Sequence, residues 1–268
     1  QSILNIKKKI ERIGTPLKNW DVKIYRGITT GFNEAFIIDN NTKERLCRDD
    51  PKSAEILKPI LRGRDIDRYS YNWAGLWLIF TYTGININKY SSVYNHLLKF
   101  KTELSEVWEA KHGKKQWYEL RGCDYYQEFE KEKIVWQEIV RNSMFQYDTK
   151  KIWNDATSFI MVGKNLKYII AFLNSIFLTY SFKKFYAGGG LGEEAFRYKK
   201  NFIEQLPFPK IPEYQQQPFI KIVDQILSLK QQNPNADTTD LERQIDQMVY
   251  QLYELTPEEI MIVEEGVR

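Results

Sequence analysis

Cysteine and histidine are almost missing from this chain, with 2 of each in 268 residues. Cys47 and Cys123 alone cannot build a disulfide framework, which fits a reducing compartment and gives the expectation of a cytoplasmic protein. His96 and His112 stand far apart, so no zinc-type Cys/His spacing exists and no metal site is expected. Long apolar runs are missing too. The longest, Ile169 to Tyr180, is broken by Asn174 and Ser175 and is too short to cross a bilayer. The opening QSILNIKKKIERIG has no apolar core of signal type, and no membrane partner is expected. No two prolines are adjacent and no glycine-rich turn for S-adenosylmethionine is present, so the chain lacks the Asn/Asp-Pro-Pro-aromatic turn of an amino-methylating enzyme. The run Gly188–Gly189–Gly190 is not followed by Lys-Ser/Thr and fails as a phosphate loop. Glu109–Ala110–Lys111 has the letters of a nuclease Glu-x-Lys step but falls in an expected helix, which makes a chance match the better reading. His112 has no assignable nucleophile or orienting acid. The acid pairs Asp49–Asp50, Glu193–Glu194 and Glu258–Glu259 read as a turn, a loop and a helix start. Neither a catalytic residue nor a bound cofactor is expected in this chain.

Aromatic residues, by contrast, are plentiful at 15%, which serves a thick core, a stacking surface, or both. Charge is unevenly spread. From Glu213 onward there are 4 Lys/Arg against 11 Asp/Glu, a net of −7, so the formal +4 of the whole leaves +11 on residues 1–212 (35 against 24). A basic body suits a polyanion, because each neutralised phosphate releases condensed counterions. A solvated basic face is the plainer reading, and charge alone does not separate the two.

Hydrophobic spacing gives an α+β architecture: a mixed body with short strands and a buried helix, then a small C-terminal helical appendage. Ile3, Ile6, Ile10 and Ile13 recur at helical spacing. Trp20 to Tyr25 alternates as a strand, a polar loop follows from Arg26 to Asn33, and Ala35 to Ile38 reads as the returning strand. A short helix is predicted over Lys52 to Leu61, a buried strand over Gly75 to Thr81, and a polar helix from about Lys89 to Lys111. Lys133 to Val140 and Ser158 to Val162 read as strands, and Leu166 to Phe182 as a helix apolar on nearly every side. Gly188–Gly190 and Gly192 predict a flexible loop. Pro207, Pro209 and Pro212 mark a boundary between a recognition domain, 1–212, and a helical bracing or docking segment, 213–268. In that segment Phe219, Ile220, Val223, Ile226 and Leu227 form one stripe, and Leu241, Ile245, Met248, Val249 and Leu252 a second. Thr256–Pro257–Glu258–Glu259 is a strong helix start.

Several of these stretches resemble one family. WDVKIYRGITTGFNEAFII (20–38), ILKPILRGRDIDRY (56–69), LKYIIAFLNSIFLTYS (166–181), FRYKKNFIEQLPFP (196–209) and the 241–265 tail are similar, in order and spacing, to the TaqI-like C-terminal specificity domain. Such domains select the target of type II and type IIG adenine-specific DNA methyltransferases. The resemblance implies sequence-specific recognition of double-stranded DNA by this chain. It also implies an upstream methyltransferase domain as partner, holding S-adenosylmethionine, with a nuclease domain sometimes before it. Neither domain is in the sequence, and a fragment or separately expressed domain is the simplest account. Arg62, Arg64, Arg197, Lys199 and Lys200 lie in the family-like basic blocks and are assigned to phosphates. Arg64 has a structural competitor, an ion pair with Asp65 or Asp67. Arg26, Thr29, Thr30 and Asn33 lie in the first loop, where both threonines can equally serve the turn. Arg121, Arg141, Asn142 and Gln146, in loops between the blocks, carry side chains suited to base edges. Tyr198 reads as packed rather than exposed. A protein-interaction subunit with an incidental basic surface, or half of a type I specificity subunit, are the competing readings.

Overall fold

In a computed structural model the described residues are 2–188 and 195–267. The expected loop at Gly189, Gly190 and Gly192, with Glu193–Glu194, lies outside them. The architecture is α+β, organised around two four-stranded sheets. The first is wholly antiparallel, in the order Phe145–Asp148, Lys133–Gln137, Ser158–Gly163, Val22–Arg26. The second runs Trp153–Asn154, Leu57–Leu61, Trp77–Ile79, Ile37–Ile38, with Trp153–Asn154 parallel to its neighbour.

The first sheet is covered on both faces, which explains why its central strands read as unbroken apolar runs. Ile24, Ile134, Trp136, Phe159 and Met161 face one core, shared with the helices Ser2–Ile13, Leu166–Leu173 and Ile176–Ser181 and with the C-terminal helices. Val135 and Ile160 face the other, which fills the second sheet and the Ser91–Leu98 helix. The period-two alternation of a strand delivers this division directly.

Four local expectations are corrected. Strand Val22–Arg26 does not turn back on Ile37–Ile38: it pairs with Ser158–Gly163, and Ile37–Ile38 joins the other sheet after a helical turn, Asn33–Phe36, that buries Ala35 and Phe36. Lys52 to Leu61 is not one helix. Asp50 accepts from the Lys52 amide (3.2 Å) to start a 3-10 turn, Pro51–Ile56, and Pro59 then favours extended backbone over Leu57–Leu61. The polar helix breaks into Ser91–Leu98, Lys101–Glu106 and Trp108–Lys111, first at Phe100, which leaves helical geometry (φ −111°, ψ 15°), and then at Val107, which is extended (φ −58°, ψ 131°). The buried helix breaks at Asn174–Ser175. There the Asn174 amide clasps both backbone groups of Phe145 on the edge strand (3.0 and 2.9 Å), and the Ser175 hydroxyl caps the following helix.

The stripes of the helices Glu213–Gln232 and Thr239–Leu252 are covered by the body: Phe219, Val223, Ile226, Ile245 and Val249 are buried in the first core. Helix Pro257–Glu265 opens with the Thr256/Glu259 capping box. Asp246 is buried and accepts from the Ile176 amide (2.8 Å) at a body helix N-terminus. Acids of this segment also pair with body cations: Lys9–Glu259 (2.6 Å), Arg12–Glu254 (2.5 Å), Lys167–Asp224 (2.6 Å), and Arg68 with Glu242. Among the described residues no helix is long and apolar enough to cross a membrane.

Candidate nucleic-acid interface

The family-like basic blocks meet at one end of the first sheet. Two Arg–Gly steps dock there onto the same segment, residues 155–157. At the first, Gly27 donates to Ser158 O (2.8 Å), and a Cβ on it would stand 1.8 Å from Asp155 O. Only glycine permits that approach. Arg26, just before it, donates to Ala156 O (2.8 Å). At the second, the Gly63 amide donates to Thr157 Oγ1 (2.9 Å), and a Cβ would press on Thr157 and on Gln137 Cγ at 2.7–2.9 Å.

Beside this segment the strand Lys133–Gln137 is followed by Glu138, whose amide donates to Thr157 O (3.0 Å). Glu138 is 7% exposed yet carries a cluster of cations: Arg197 at 2.9 Å, Arg26 at 3.3 Å and Lys199 at 4.0 Å. A buried carboxylate needs such partners, and it fixes them in turn. The 196–199 segment alternates accordingly. Tyr198 points inward, stacked on Phe182 at 4.1 Å and bonded to Ser143 (3.2 Å), and burial pushes its hydroxyl pKa up to about 12. Arg197 and Lys199 therefore emerge on the Glu138 side. Neither the sheet end nor Glu138 was singled out from the sequence, because a lone Gln-Glu step after a strand carries no local signal.

The two arginines of the second block are not equivalent. Arg62 grips the buried Asp65 with two guanidinium bonds (3.0 and 2.7 Å), while its amide donates to the same carboxylate (2.9 Å). That pair raises the Arg62 pKa and gives the guanidinium a structural duty. Arg64, for which a local pair was the competing expectation, is exposed and has no partner among the described residues. Lys200 is exposed and pairs with Glu204 at 3.6 Å.

The remaining predicted residues lie in different settings. The Thr30 hydroxyl donates to Asn33 Oδ1 (2.6 Å), a bond internal to the first loop, and Thr29 is half-buried beside it. Asn142 accepts from Lys183 (2.6 Å), whose ammonium pKa is lowered by burial and then by the charge of Arg141. Gln146 is buried in the edge strand and donates to Tyr147 O (2.6 Å). Arg121 pairs with Glu109 (2.5 Å) and not with Glu138. Lys111 pairs instead with Glu106 (2.5 Å), so Glu109 and Lys111 do not form a joint acid–lysine site. His96 is buried and bonded to Ala35 O (3.0 Å); burial lowers its pKa, and the Ala35 carbonyl opposes that shift. Among the described residues no group of His, Cys, Asp and Glu is placed to hold a metal ion.

Fold and charge together define a scaffold that offers a fixed cationic edge. The chain belongs to the TaqI-like C-terminal specificity domain family, whose model matches residues 58–208. Its fold is similar to that of the type IIL restriction–modification enzyme MmeI, solved in complex with DNA (TM-score 0.68, 12% identity, 94% of this chain and 36% of that one). It is also similar to the type IIG restriction endonuclease BpuSI (TM-score 0.52, 16% identity, 96% of this chain and 33% of that one). The chain thus spans about a third of either solved structure. No curated protein matches its sequence.

Proposed function

We propose that this chain is the target-recognition part of a restriction–modification adenine methyltransferase and binds duplex DNA across the edge built on Glu138 and residues 155–157. The observation that carries the reading is the convergence of Arg26, Arg62, Arg64, Arg197 and Lys199 on that edge from three separate stretches of sequence. Phosphates would be met by Arg64 and Lys199, and by Arg26 and Arg197 held by Glu138, which fixes register without reading sequence. Base edges would be read in the major groove from the adjoining loops, where all four pairs differ. Catalysis belongs, in this proposal, to an upstream domain that binds S-adenosylmethionine and flips the adenine, since its amine is out of reach inside stacked duplex. This chain would contribute register and sequence choice.

The test is duplex binding at several salt concentrations by the wild-type chain and an Arg64→Glu/Lys199→Glu variant. Arg62 is left intact because it holds Asp65. Binding that weakens steeply with salt and collapses in the variant supports the proposal. Wild-type chain that ignores duplex at low salt overturns it for the isolated chain.

A further inference from the structure

Seven tryptophans are present, and Trp108 stands out as 54% exposed, on a helical turn too short to bury it. Its ring stacks on His112 (4.6 Å between centroids), and the Lys114 ammonium lies 4.5 Å from its centre. Its indole N–H has no partner among the described residues. An exposed tryptophan loses apolar burial that a core position would supply, so a surface of this kind points to a partner.

The arm that carries it, residues 107–126, is tied at both ends to the strand and loop bearing Arg26. At one end Val107 packs on Gly31, whose left-handed backbone (φ +87°) would set a Cβ 3.3 Å from the valine. At the other Tyr125 stacks on Tyr25, next to Arg26 (4.6 Å). Between these anchors residues 108–121 hold four Lys/Arg against two Glu. Of the two acids, Glu109 is occupied by Arg121, and Glu119 is buried, bonding the amides of Gly84 and Gln116. Three of the four cations are committed too, Lys111 to Glu106, Arg121 to Glu109 and Lys115 to Glu119 O, so the outward character of the arm is the Trp108 ring with the Lys114 ammonium over it.

Resting on the duplex-binding reading above, we infer that Trp108 is a DNA-contacting residue. Its ring packs on the deoxyribose edges of bound duplex, while Lys114 leaves the ring for a phosphate. Base faces are closed by stacking in a duplex, whereas the sugars offer C–H surface at the groove wall, and covering the exposed half of the indole contributes about 1–1.5 kcal/mol. Lys114 strengthens the choice of a nucleic acid over an apolar protein surface, since docking on the latter would strand its charge.

Anisotropy titrations of a labelled mixed-sequence duplex with wild type, Trp108→Ala, Trp108→Phe and Arg64→Ala separate the possibilities, with melting temperatures recorded for each. Trp108→Ala should weaken binding by about 5- to 12-fold. Its salt slope should stay that of wild type, because no charge is removed, and Trp108→Phe should retain most of the affinity. Arg64→Ala should instead flatten the slope. Wild-type binding matched by an equally stable Trp108→Ala overturns the inference alone. Absence of wild-type binding at low salt overturns it together with the duplex-binding reading.

Discussion

Arg62 and Arg64 sit two residues apart in one block, and the structure gives them opposite duties. Arg62→Ala removes the partner of a buried carboxylate and should lower stability by about 1–3 kcal/mol. Arg64→Ala removes an exposed cation and should leave stability nearly unchanged. If it contacts a phosphate, its loss reduces the slope of log affinity against log salt by about 0.9. Urea unfolding and salt titration of the two variants check both statements. Gly63 belongs to the same logic: Gly63→Ala forces a methyl against Thr157 and Gln137 and should destabilise by about 1–3 kcal/mol, as overpacking does. The sequence showed this block as basic. It could not show which guanidinium was committed, since that depends on the side chain of Asp65 turning inward.

At the scale of elements, the instructive case is the interrupted helix over 166–181. Its apolar character was legible, as was its burial. The break at Asn174–Ser175 was not, although both residues were visible as polar interruptions, because their reason lies across the molecule at Phe145. Asn174→Leu keeps the volume and strands the buried N–H of Phe145, whose carbonyl still accepts from the Tyr69 amide (2.9 Å). It should cost about 1–3 kcal/mol in urea unfolding. The edge strand has a second anchor in the buried pair of Lys133 and Asp148, the latter also receiving the amides of Lys150 and Ile152. Burial lowers the Lys133 pKa while Asp148 opposes it. Lys133→Met leaves the carboxylate buried and unpaired, and a loss of about 3–5 kcal/mol is expected. Strands were well predicted where both faces are buried. The hairpin over 20–38 was misread because two adjacent strands of suitable pattern say nothing about which sheet each joins.

The charge of the whole molecule is divided by the fold. Acidic C-terminal helices neutralise body cations on their own side, at Lys9, Arg12, Arg68 and Lys167, while the cations around Glu138 are supplied by other stretches. Deleting 213–268 would uncover the core faces that receive Phe219, Val223, Ile245 and Val249, and the truncated chain should aggregate. A soluble monomer in size-exclusion chromatography would contradict this. The same junction carries a pH dependence. Burial raises the Asp246 carboxyl from 3.8 to about 6. The native state therefore holds this proton more tightly than the unfolded chain. The associated stability is complete below about pH 4 and is lost as pH rises through 6, on the order of 2–3 kcal/mol. Asp246→Asn keeps an oxygen for the Ile176 amide and removes the titration. The difference in unfolding free energy between wild type and variant should change between pH 4 and 7 in that direction.

The sequence by itself determined the α+β class, the buried strands and helices, the apolar stripes of the C-terminal helices, and the basic blocks that carry the family likeness. These are properties of local periodicity and composition, written within a few turns of chain. Only the tertiary structure decided that Arg26, Arg64, Arg197 and Lys199 share one edge, that a buried Glu138 fixes three of the cations there, and that Asn174 breaks a helix to satisfy a strand. Each of these joins residues tens to well over a hundred positions apart. Such contacts follow from which surfaces must be buried together and which charges cannot be left alone, and no short window of sequence contains both partners.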